Sequence, residues 1–404
     1  MVAAGFVVGL GNVWRLPLIA GEHGGGAFWA IYLFVMLLIG VPLLTAELLV
    51  GLQGRCNPVR AIRSMAKDSG ISRGWGVLAW LACLSGVLLL PLYGVVGGWS
   101  AAFMHFAWVG ELTEREVTEI ALLFAGHVGD LNANMLYSGA LILAAVLISS
   151  LGINFGLGLA ARVLLPLAFA LVVAVAWYSQ YFGDMNRTLE FLFKPDWDNM
   201  DVRTPIYAVA QVLFTLTLGA GVMMALGAYV PNRRDLPLVA ASIVLTDVFA
   251  AALFGYVLLP LIFASNIAPE GGSGLLFISM PAAFGNVIYG TEMTAALYLA
   301  VTLFVLMSLA ALMEPAVSVI NEQWRLARPV AALLVGAVAW IGAVLVADYF
   351  SADRTVFDVG DVNVMQALDR LSQVLMPLVS LWTVLFLGWF VSQKLIYIEL
   401  GAFP

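Results

Sequence analysis

Charge is what this sequence has least of. Of 404 residues, 18 are Lys or Arg and 25 are Asp or Glu, 11% of the chain, against roughly 25% in an ordinary soluble domain. With 62% hydrophobic residues, too few polar side chains remain to clothe a water-facing surface of this size, so lipid is the main solvent. A cytosolic enzyme, a nucleic-acid binder and a disordered scaffold are excluded on that ground. A basic excess is missing as well, and the net charge of −7 opposes any phosphate backbone. Cysteine is limited to Cys56 and Cys83, both in or beside apolar segments, which leaves no disulfide framework and no zinc site. His23, His105 and His127 are scattered, so the sequence holds no His-rich metal cluster. It also offers no nucleophile–base pair and no phosphate loop, and the chain is not expected to be an enzyme.

What is abundant is long apolar runs. Ten stretches can span a bilayer: about 1–21, 27–53, 75–109, 134–151, 159–182, 204–230, 236–264, 293–320, 328–349 and 364–393. They are continuous rather than alternating, which selects helices over barrel strands. The first is no signal peptide, since it lacks a basic leading region and contains Gly9, Gly11, Asn12 and Arg15. The connecting loops sort by charge. One set carries Arg55, Arg60, Arg63, Lys67 and Arg73, then Arg162, Arg233, Arg234, Arg325, Arg328 and Lys394. The other carries Glu111, Glu114, Glu116 and Glu119, then Asp196, Asp198 and Asp201, then Asp348, Asp353, Asp358 and Asp361. The excess of Lys and Arg on the cytoplasmic side predicts both termini in the cytoplasm.

Two segments are interrupted by closely spaced glycines. The first reads Gly9-Leu10-Gly11-Asn12, and the sixth reads Thr215-Leu216-Thr217-Leu218-Gly219-Ala220-Gly221. They lie five helices apart, an odd number, so the two halves run through the membrane in opposite senses. Paired interruptions at matching places point to a transporter's binding site. Unwound backbone frees N–H groups for an anion and C=O groups for a cation, at half-helix ends whose dipoles favour each.

These motifs carry a family resemblance. The run Val8-Gly9-Leu10-Gly11-Asn12-Val13-Trp14-Arg15-Leu16-Pro17, followed by Gly24-Gly25-Gly26-Ala27-Phe28, resembles the opening of the neurotransmitter:sodium symporter family. So do Gly40-Val41-Pro42-Leu43 with Glu47, the sixth segment from Gln211 to Gly219, and the Gly156 and Pro166 spacing. The loop Ser279-Met280-Pro281-Ala282-Ala283-Phe284 and the Glu314-Pro315 pair fit the same pattern. The resemblance covers nearly the whole chain. It implies an all-α integral membrane protein of the LeuT type, a 5+5 inverted repeat with helices 1 and 6 broken. The corresponding division is 1–182 for the first repeat, 183–203 for an extracellular connection, 204–393 for the second repeat and 394–404 for a cytoplasmic end. Bacterial relatives usually add an eleventh helix, which the pattern does not show here.

The resemblance also assigns roles. Backbone N–H groups of Leu10 and Gly11, with the Tyr93 hydroxyl, would hold a substrate carboxylate. Leu89, Phe214, Thr217, Ala220, Ser308 and Leu312 would line the side-chain pocket, and the small Ala220 leaves room for a larger aliphatic or aromatic group. Asn12, Thr215 and Asp247, with the Val7 carbonyl, would form a first Na⁺ site. Asp247 stands out on physical grounds alone, because an acid within an apolar span is functional by default. Gly5, Val8, Phe304 and Ser308 would form a second Na⁺ site, but Met307 replaces the expected hydroxyl there, and a thioether is a poor ligand for a hard cation. Tyr32, Gln211 and Thr215 match an anion site whose Ser is here Ala251, so Asp247 is expected to supply the fixed negative charge, with chloride not required. Arg15 and Asp369 match an outer gate, with Phe214 as lid. Glu322 matches the inner-gate acid, whose usual basic partner is not expected in this chain. Glu47 is expected to support the unwound backbone of the sixth segment, with Gln211 in a similar structural role.

The sequence thus predicts Na⁺-coupled symport of a hydrophobic amino acid by alternating access in the plasma (inner) membrane. Two alternatives stay open. One is a proton-coupled or cation-independent carrier on the same fold, with Asp247 titrating. The other is a binding-only protein that does not transport. The expected partners are a small amino acid and the lipid bilayer, and no nucleic acid.

Overall fold

Within hydrocarbon every backbone N–H and C=O needs a partner inside the protein, and a helix supplies one residue by residue. The computed structural model is almost wholly helical, and it describes residues 6–230, 236–269, 271–351 and 363–392. Gly5 of the second expected cation site lies outside the described residues. So do Arg233, Arg234, Asp353, Asp358, Asp361, Lys394 and the 394–404 end.

The chain runs through α1 (residues 11–22), α2 (Gly26–Gly54), α3 (Pro58–Asp68), α4 (Arg73–Trp108), α5 (Val117–Gly129), α6 (Leu131–Ser150), α7 (Ile153–Phe182) and α8 (Met185–Phe193). It continues through α9 (Thr204–Thr215), α10 (Val222–Gly227), α11 (Leu236–Ala264), α12 (Leu275–Phe284), α13 (Gly290–Gln323), α14 (Arg328–Phe350) and α15 (Val364–Phe390). Among the described residues, eight helices are long and apolar enough to cross a bilayer: α2, α4, α6, α7, α11, α13, α14 and α15. The two other expected segments are the glycine-broken ones. In the first, regular helix is lost at residues 7–9, just before α1. In the second, a turn over 216–221 separates α9 from α10. Thr217, Gly219 and Gly221 there take φ of 49°, 82° and 74°, values that no right-handed helix can continue through.

Several boundaries differ from the sequence expectation for local reasons. Helix α6 begins at Leu131 rather than 134, because the Asp130 side chain caps it by accepting the Ala133 amide at 3.1 Å. Helix α7 begins at Ile153 rather than 159, through a π-turn over Ile153–Leu157. Residues 279–284 are not a loop but the end of α12. The short helices α3, α5 and α8 lie at the ends of the bundle, where hydropathy alone gives little signal. Helix α3 is amphipathic: Val59, Ile62 and Met65 are buried while Arg60, Arg63 and Lys67 are exposed.

Helices α4 and α13 form the central pair, with α6, α7, α14 and α15 packed around them. At the end that carries the acidic loops, α12 is clamped by aromatic rings. Phe277 stacks on Phe124 of α5 at 5.2 Å and on Tyr298 of α13 at 6.0 Å, and the Tyr298 hydroxyl donates to the Leu276 carbonyl at 2.7 Å. Toward the basic end, α2 and α10 touch backbone to backbone. A methyl group at Gly51 would lie 2.0 Å from the Met224 carbonyl oxygen, and one at Gly227 would lie 2.2 Å from that of Leu48.

Gly51→Ala is therefore expected to destabilise by about 1–3 kcal/mol, since only helix separation can accommodate the methyl. Gly126→Ala, at an exposed position of α5 with nothing within 4 Å, is expected to stabilise by about 0.5–1 kcal/mol through helix propensity. Thermal unfolding of the two detergent-solubilised variants reads the opposite signs directly.

Candidate functional site

Asp247 lies midway along α11 with no solvent exposure, and a carboxylate in that position must be met by donors from other elements. Asn12 Nδ2, in α1, donates to its Oδ1 at 2.8 Å and to its carbonyl at 3.0 Å. The Tyr32 hydroxyl, from α2, donates to Oδ2 at 3.0 Å. The Thr215 hydroxyl, at the end of α9, lies 2.6 Å from Oδ1. Both helix breaks thus converge on one acid, since Asn12 follows the first and Thr215 precedes the second. Thr215 Oγ1 is also 2.7 Å from Asn12 Oδ1. A hydroxyl has a single hydrogen and can serve only one of these oxygens. Asn12 Oδ1, Thr215 Oγ1 and Asp247 Oδ1 therefore form a close cluster of hard oxygens, one of them carboxylate, with the Thr215 hydroxyl hydrogen and one Asn12 N–H between them. A small hard cation suits such a set. Val7 is buried in the unwound stretch beside it.

The breaks are themselves supported. Glu47 Oε1, from α2, accepts the Gly219 amide at 2.6 Å, and Gln211 Nε2 donates to the Gly11 carbonyl at 3.2 Å. Ala251, the counterpart of the expected anion-site Ser, is fully buried one turn along from Asp247.

Next to this cluster, a cavity of about 650 Å³ runs from Gly271, Gly272 and Ser273 and the start of α15 down to Leu10, Leu89, Tyr93 and Phe214. Arg15 and Asp369 both line it. They do not form the ion pair expected of a closed gate. The Arg15 guanidinium sits 4.7 Å from the centre of the Phe214 ring, and Asp369 accepts from Gln373 Nε2 at 2.7 Å. Deeper in, the first break, α4 and α13 meet: a side chain at Gly9 would contact the Ser308 hydroxyl at 3.2 Å and the Tyr93 hydroxyl at 3.4 Å. Phe214 covers Gly11, where an added methyl would lie 3.0 Å from its ring. Ala220 and Leu312 lie further toward the basic end, where their carbonyls face Gly86 of α4. The Thr217 hydroxyl donates to the adjacent Leu216 carbonyl at 2.8 Å.

The second expected cation position looks different. Ser308 Oγ lies 3.3 Å from the Phe6 carbonyl and 3.4 Å from that of Val8, while Phe304 and Met307 are fully buried. The Met307 thioether does not suit a hard cation, while the donor expected of Phe304 is its backbone carbonyl.

At the basic end Glu322 has a neighbour that the sequence reading did not assign to it. Glu322 lies 3.5 Å from Arg60, and it accepts the Asn57 side-chain amide at 2.7 Å and the Asn57 N–H at 3.2 Å. Asn57 caps α3 by accepting the Arg60 amide at 3.0 Å, so the positive end of that helix faces the carboxylate. The Asn57-Pro58 start with an Arg three residues on was the available sequence signal. Burial beside Glu322 pushes the Cys56 thiol up, and Arg60 opposes this. Glu314 pairs with Arg328 close by, and the adjoining cavity is only about 120 Å³.

These features are those of a sodium-dependent symporter. The model of the sodium:neurotransmitter symporter family matches residues 1–120 and 109–401, and the chain belongs to that family. The uncharacterized sodium-dependent transporter YhdH of Bacillus subtilis is 28% identical over 407 residues, covering 99% of this chain and 88% of its own length. The sodium-dependent nutrient amino acid transporter 1 of Drosophila grimshawi is 26% identical over 375 residues, covering 79% of this chain and 58% of its own. The crystal structure of MhsT in complex with L-phenylalanine superposes with a TM-score of 0.88 at 28% identity, covering 99% of this chain and 90% of that one. The fold is the LeuT type, in a multi-pass membrane protein.

Glu47→Leu would leave the Gly219 amide buried and unpaired, an expected loss of about 1–3 kcal/mol. Glu47→Gln keeps an acceptor oxygen and should retain most of the stability. Thermal unfolding in detergent separates the two.

Proposed function

We propose that this chain is a Na⁺-coupled symporter of a hydrophobic amino acid, working by alternating access in the plasma (inner) membrane with both termini in the cytoplasm. The observation that carries this reading is the close oxygen cluster of Asn12, Thr215 and the Asp247 carboxylate at the meeting of both helix breaks. Asn12, Thr215 and Asp247, with the Val7 carbonyl, would hold the co-transported Na⁺. The Leu10 and Gly11 amides begin the outer half of helix 1, where the dipole favours an anion, and with Tyr93 they would receive the substrate carboxylate. Leu89, Phe214, Thr217, Ala220, Ser308 and Leu312 would surround the side chain. Their mainly apolar character, and the L-phenylalanine bound by MhsT, support a hydrophobic substrate.

The two ends of the bundle support the direction of access. The cavity beside the oxygen cluster, of about 650 Å³, opens toward the acidic end, with Arg15 and Asp369 apart. At the basic end, Glu322 is tied to Asn57 and Arg60 and the cavity is about 120 Å³. Assigning the acidic end to the outside makes this an outward-facing pose. Residues 1–182 and 204–393 would act as the two inverted repeats, joined by the extracellular 183–203 connection, with 394–404 a cytoplasmic end. Asp247 Oδ2 already receives the Tyr32 hydroxyl, a donor the resemblance assigns to an anion site. A fixed carboxylate there makes chloride unnecessary.

Uptake of L-phenylalanine into proteoliposomes under an inward Na⁺ gradient is the test. Wild-type uptake should require Na⁺ and be indifferent to replacing chloride by gluconate. Asp247→Asn should weaken Na⁺ at least about tenfold, some 1.4 kcal/mol, and make transport chloride-dependent. Chloride-dependent wild-type uptake, with Asp247→Asn behaving alike, would sink the chloride assignment. Uptake driven by a pH gradient alone would establish the proton-coupled carrier, and Na⁺-dependent binding without uptake the binding-only protein.

A further inference from the structure

The basic end of the bundle carries a groove that the transport site does not use. A cavity of about 370 Å³ lies between the start of α4 and the later turns of α15, walled by Trp75, Val77, Leu78, Leu81 and Trp382. It opens on the outer surface of the bundle, where Val77, Leu81 and Trp382 are exposed. Trp75 packs against Trp382 at 6.0 Å, Phe386 at 5.3 Å and Phe390 at 4.7 Å, and indole rings gather at the headgroup level of a bilayer. At one end the apolar wall gives way to Ser72 and Gly74, in the turn that joins α3 to α4.

That end is surrounded by positive charge. Arg73 lies in the same turn and is exposed. The Arg63 side chain lies across Gly76, where an added methyl would meet its Nε at 2.6 Å. Lys67 follows one turn on, on the same exposed face of α3. Among the described residues, Arg63, Lys67 and Arg73 form no ion pair, and Asp68 is the only acid between positions 55 and 75. These cations are carried by a firmly seated element. Val59, Ile62 and Met65 of α3 share one buried cluster with Leu78 and Phe386, and the Ser392 amide donates to the Ser69 hydroxyl at 3.1 Å.

We propose that this groove binds one anionic glycerophospholipid from the leaflet at the basic end. An acyl chain lies along Val77, Leu81 and Trp382, and Arg63 and Arg73 meet the phosphate. Charge selects the occupant. Unpaired Lys and Arg at the membrane surface attract an anionic head, and arginine stems rest on apolar surface while their heads reach the headgroup layer. A second copy of this chain docked through the same face would bring like charges together. A zwitterionic lipid would bring an ammonium that these cations repel. The proposal rests on the multi-pass membrane placement and not on the symport reading.

The probe is dioleoyl phosphatidylglycerol, added to the detergent-solubilised chain. Dioleoyl phosphatidylcholine supplies the same chains on a zwitterionic head, and glycerol phosphate supplies the head without chains. Native mass spectrometry counts bound lipid and gives its affinity on the folded population, and thermal unfolding reads the stabilisation that binding confers. One phosphatidylglycerol per chain should be retained, with a preference of about tenfold or more over phosphatidylcholine, and glycerol phosphate should not protect. Arg63→Gln combined with Arg73→Gln should weaken phosphatidylglycerol by about tenfold. Leu81→Trp fills the slot, leaves the charges in place, and should weaken it comparably. Arg162→Gln, at an exposed basic-end cation of α7 outside the groove, should leave the affinity unchanged. Equal binding of the two lipids, or an equal loss in Arg162→Gln, would overturn the proposal, since charge would then act without a site. Protection by glycerol phosphate alone would reduce the groove to an anion site and refute the lipid. Unaltered affinity in Leu81→Trp would place the lipid elsewhere and refute the groove.

Discussion

A carboxylate held without solvent in the middle of an apolar bundle is the constraint from which the rest follows. An unpartnered Asp247 would cost several kcal/mol in hydrocarbon, and the chain brings Asn12, Tyr32 and Thr215 from three other helices to meet it. Two of those partners flank helix interruptions, so satisfying one acid requires two irregular backbones at membrane depth. Irregular backbone is tolerated there only if its own polar groups are paired. Glu47 takes the Gly219 amide and Gln211 takes the Gly11 carbonyl. The polar residues inside the bundle therefore form a dependent series, in which each one answers a need created by another.

Around this polar centre the packing divides the molecule into firmly and loosely held parts. At the acidic end the Phe277 stack fixes α12 to α5 and α13. At the basic end the glycine contact makes α2 and α10 one mechanical unit, since neither backbone can slide without meeting the other's carbonyls. By contrast, Arg15 and Asp369 are held by weak, local partners, an aromatic face and a glutamine one turn away. Groups with such partners can exchange them at little cost, whereas the stacked and backbone-packed regions move only as bodies.

How much of this the sequence discloses depends on the range of the interaction. Apolar runs are local, and the continuous spans appear close to their expected limits. Deviations occur where a single side chain decides, as Asp130 does for α6. The breaks are readable because glycine spacing is local too. Asp247 is conspicuous because an acid in an apolar run violates hydropathy. The Arg60–Glu322 pair is not readable in the same way, since it joins residues 262 positions apart in the chain (60 and 322) through a helix too short and too polar to register as a span. Nor can sequence show that Arg15 rests on Phe214 rather than on Asp369, because that choice belongs to one conformation of the protein and not to its composition.

The fixed charge of Asp247 has an electrical consequence on the proposed reading. A carboxylate paired with one Na⁺ is neutral, and a zwitterionic amino acid adds nothing. The loaded site would then cross the membrane field with little work. The empty site would keep its negative charge. An inside-negative potential acts on that charge with about 2.3 kcal/mol per 100 mV for full traversal, and pushes it outward. Voltage would accordingly speed the return of the unloaded protein, so that a single buried oxygen acid sets which half of the cycle the membrane potential drives.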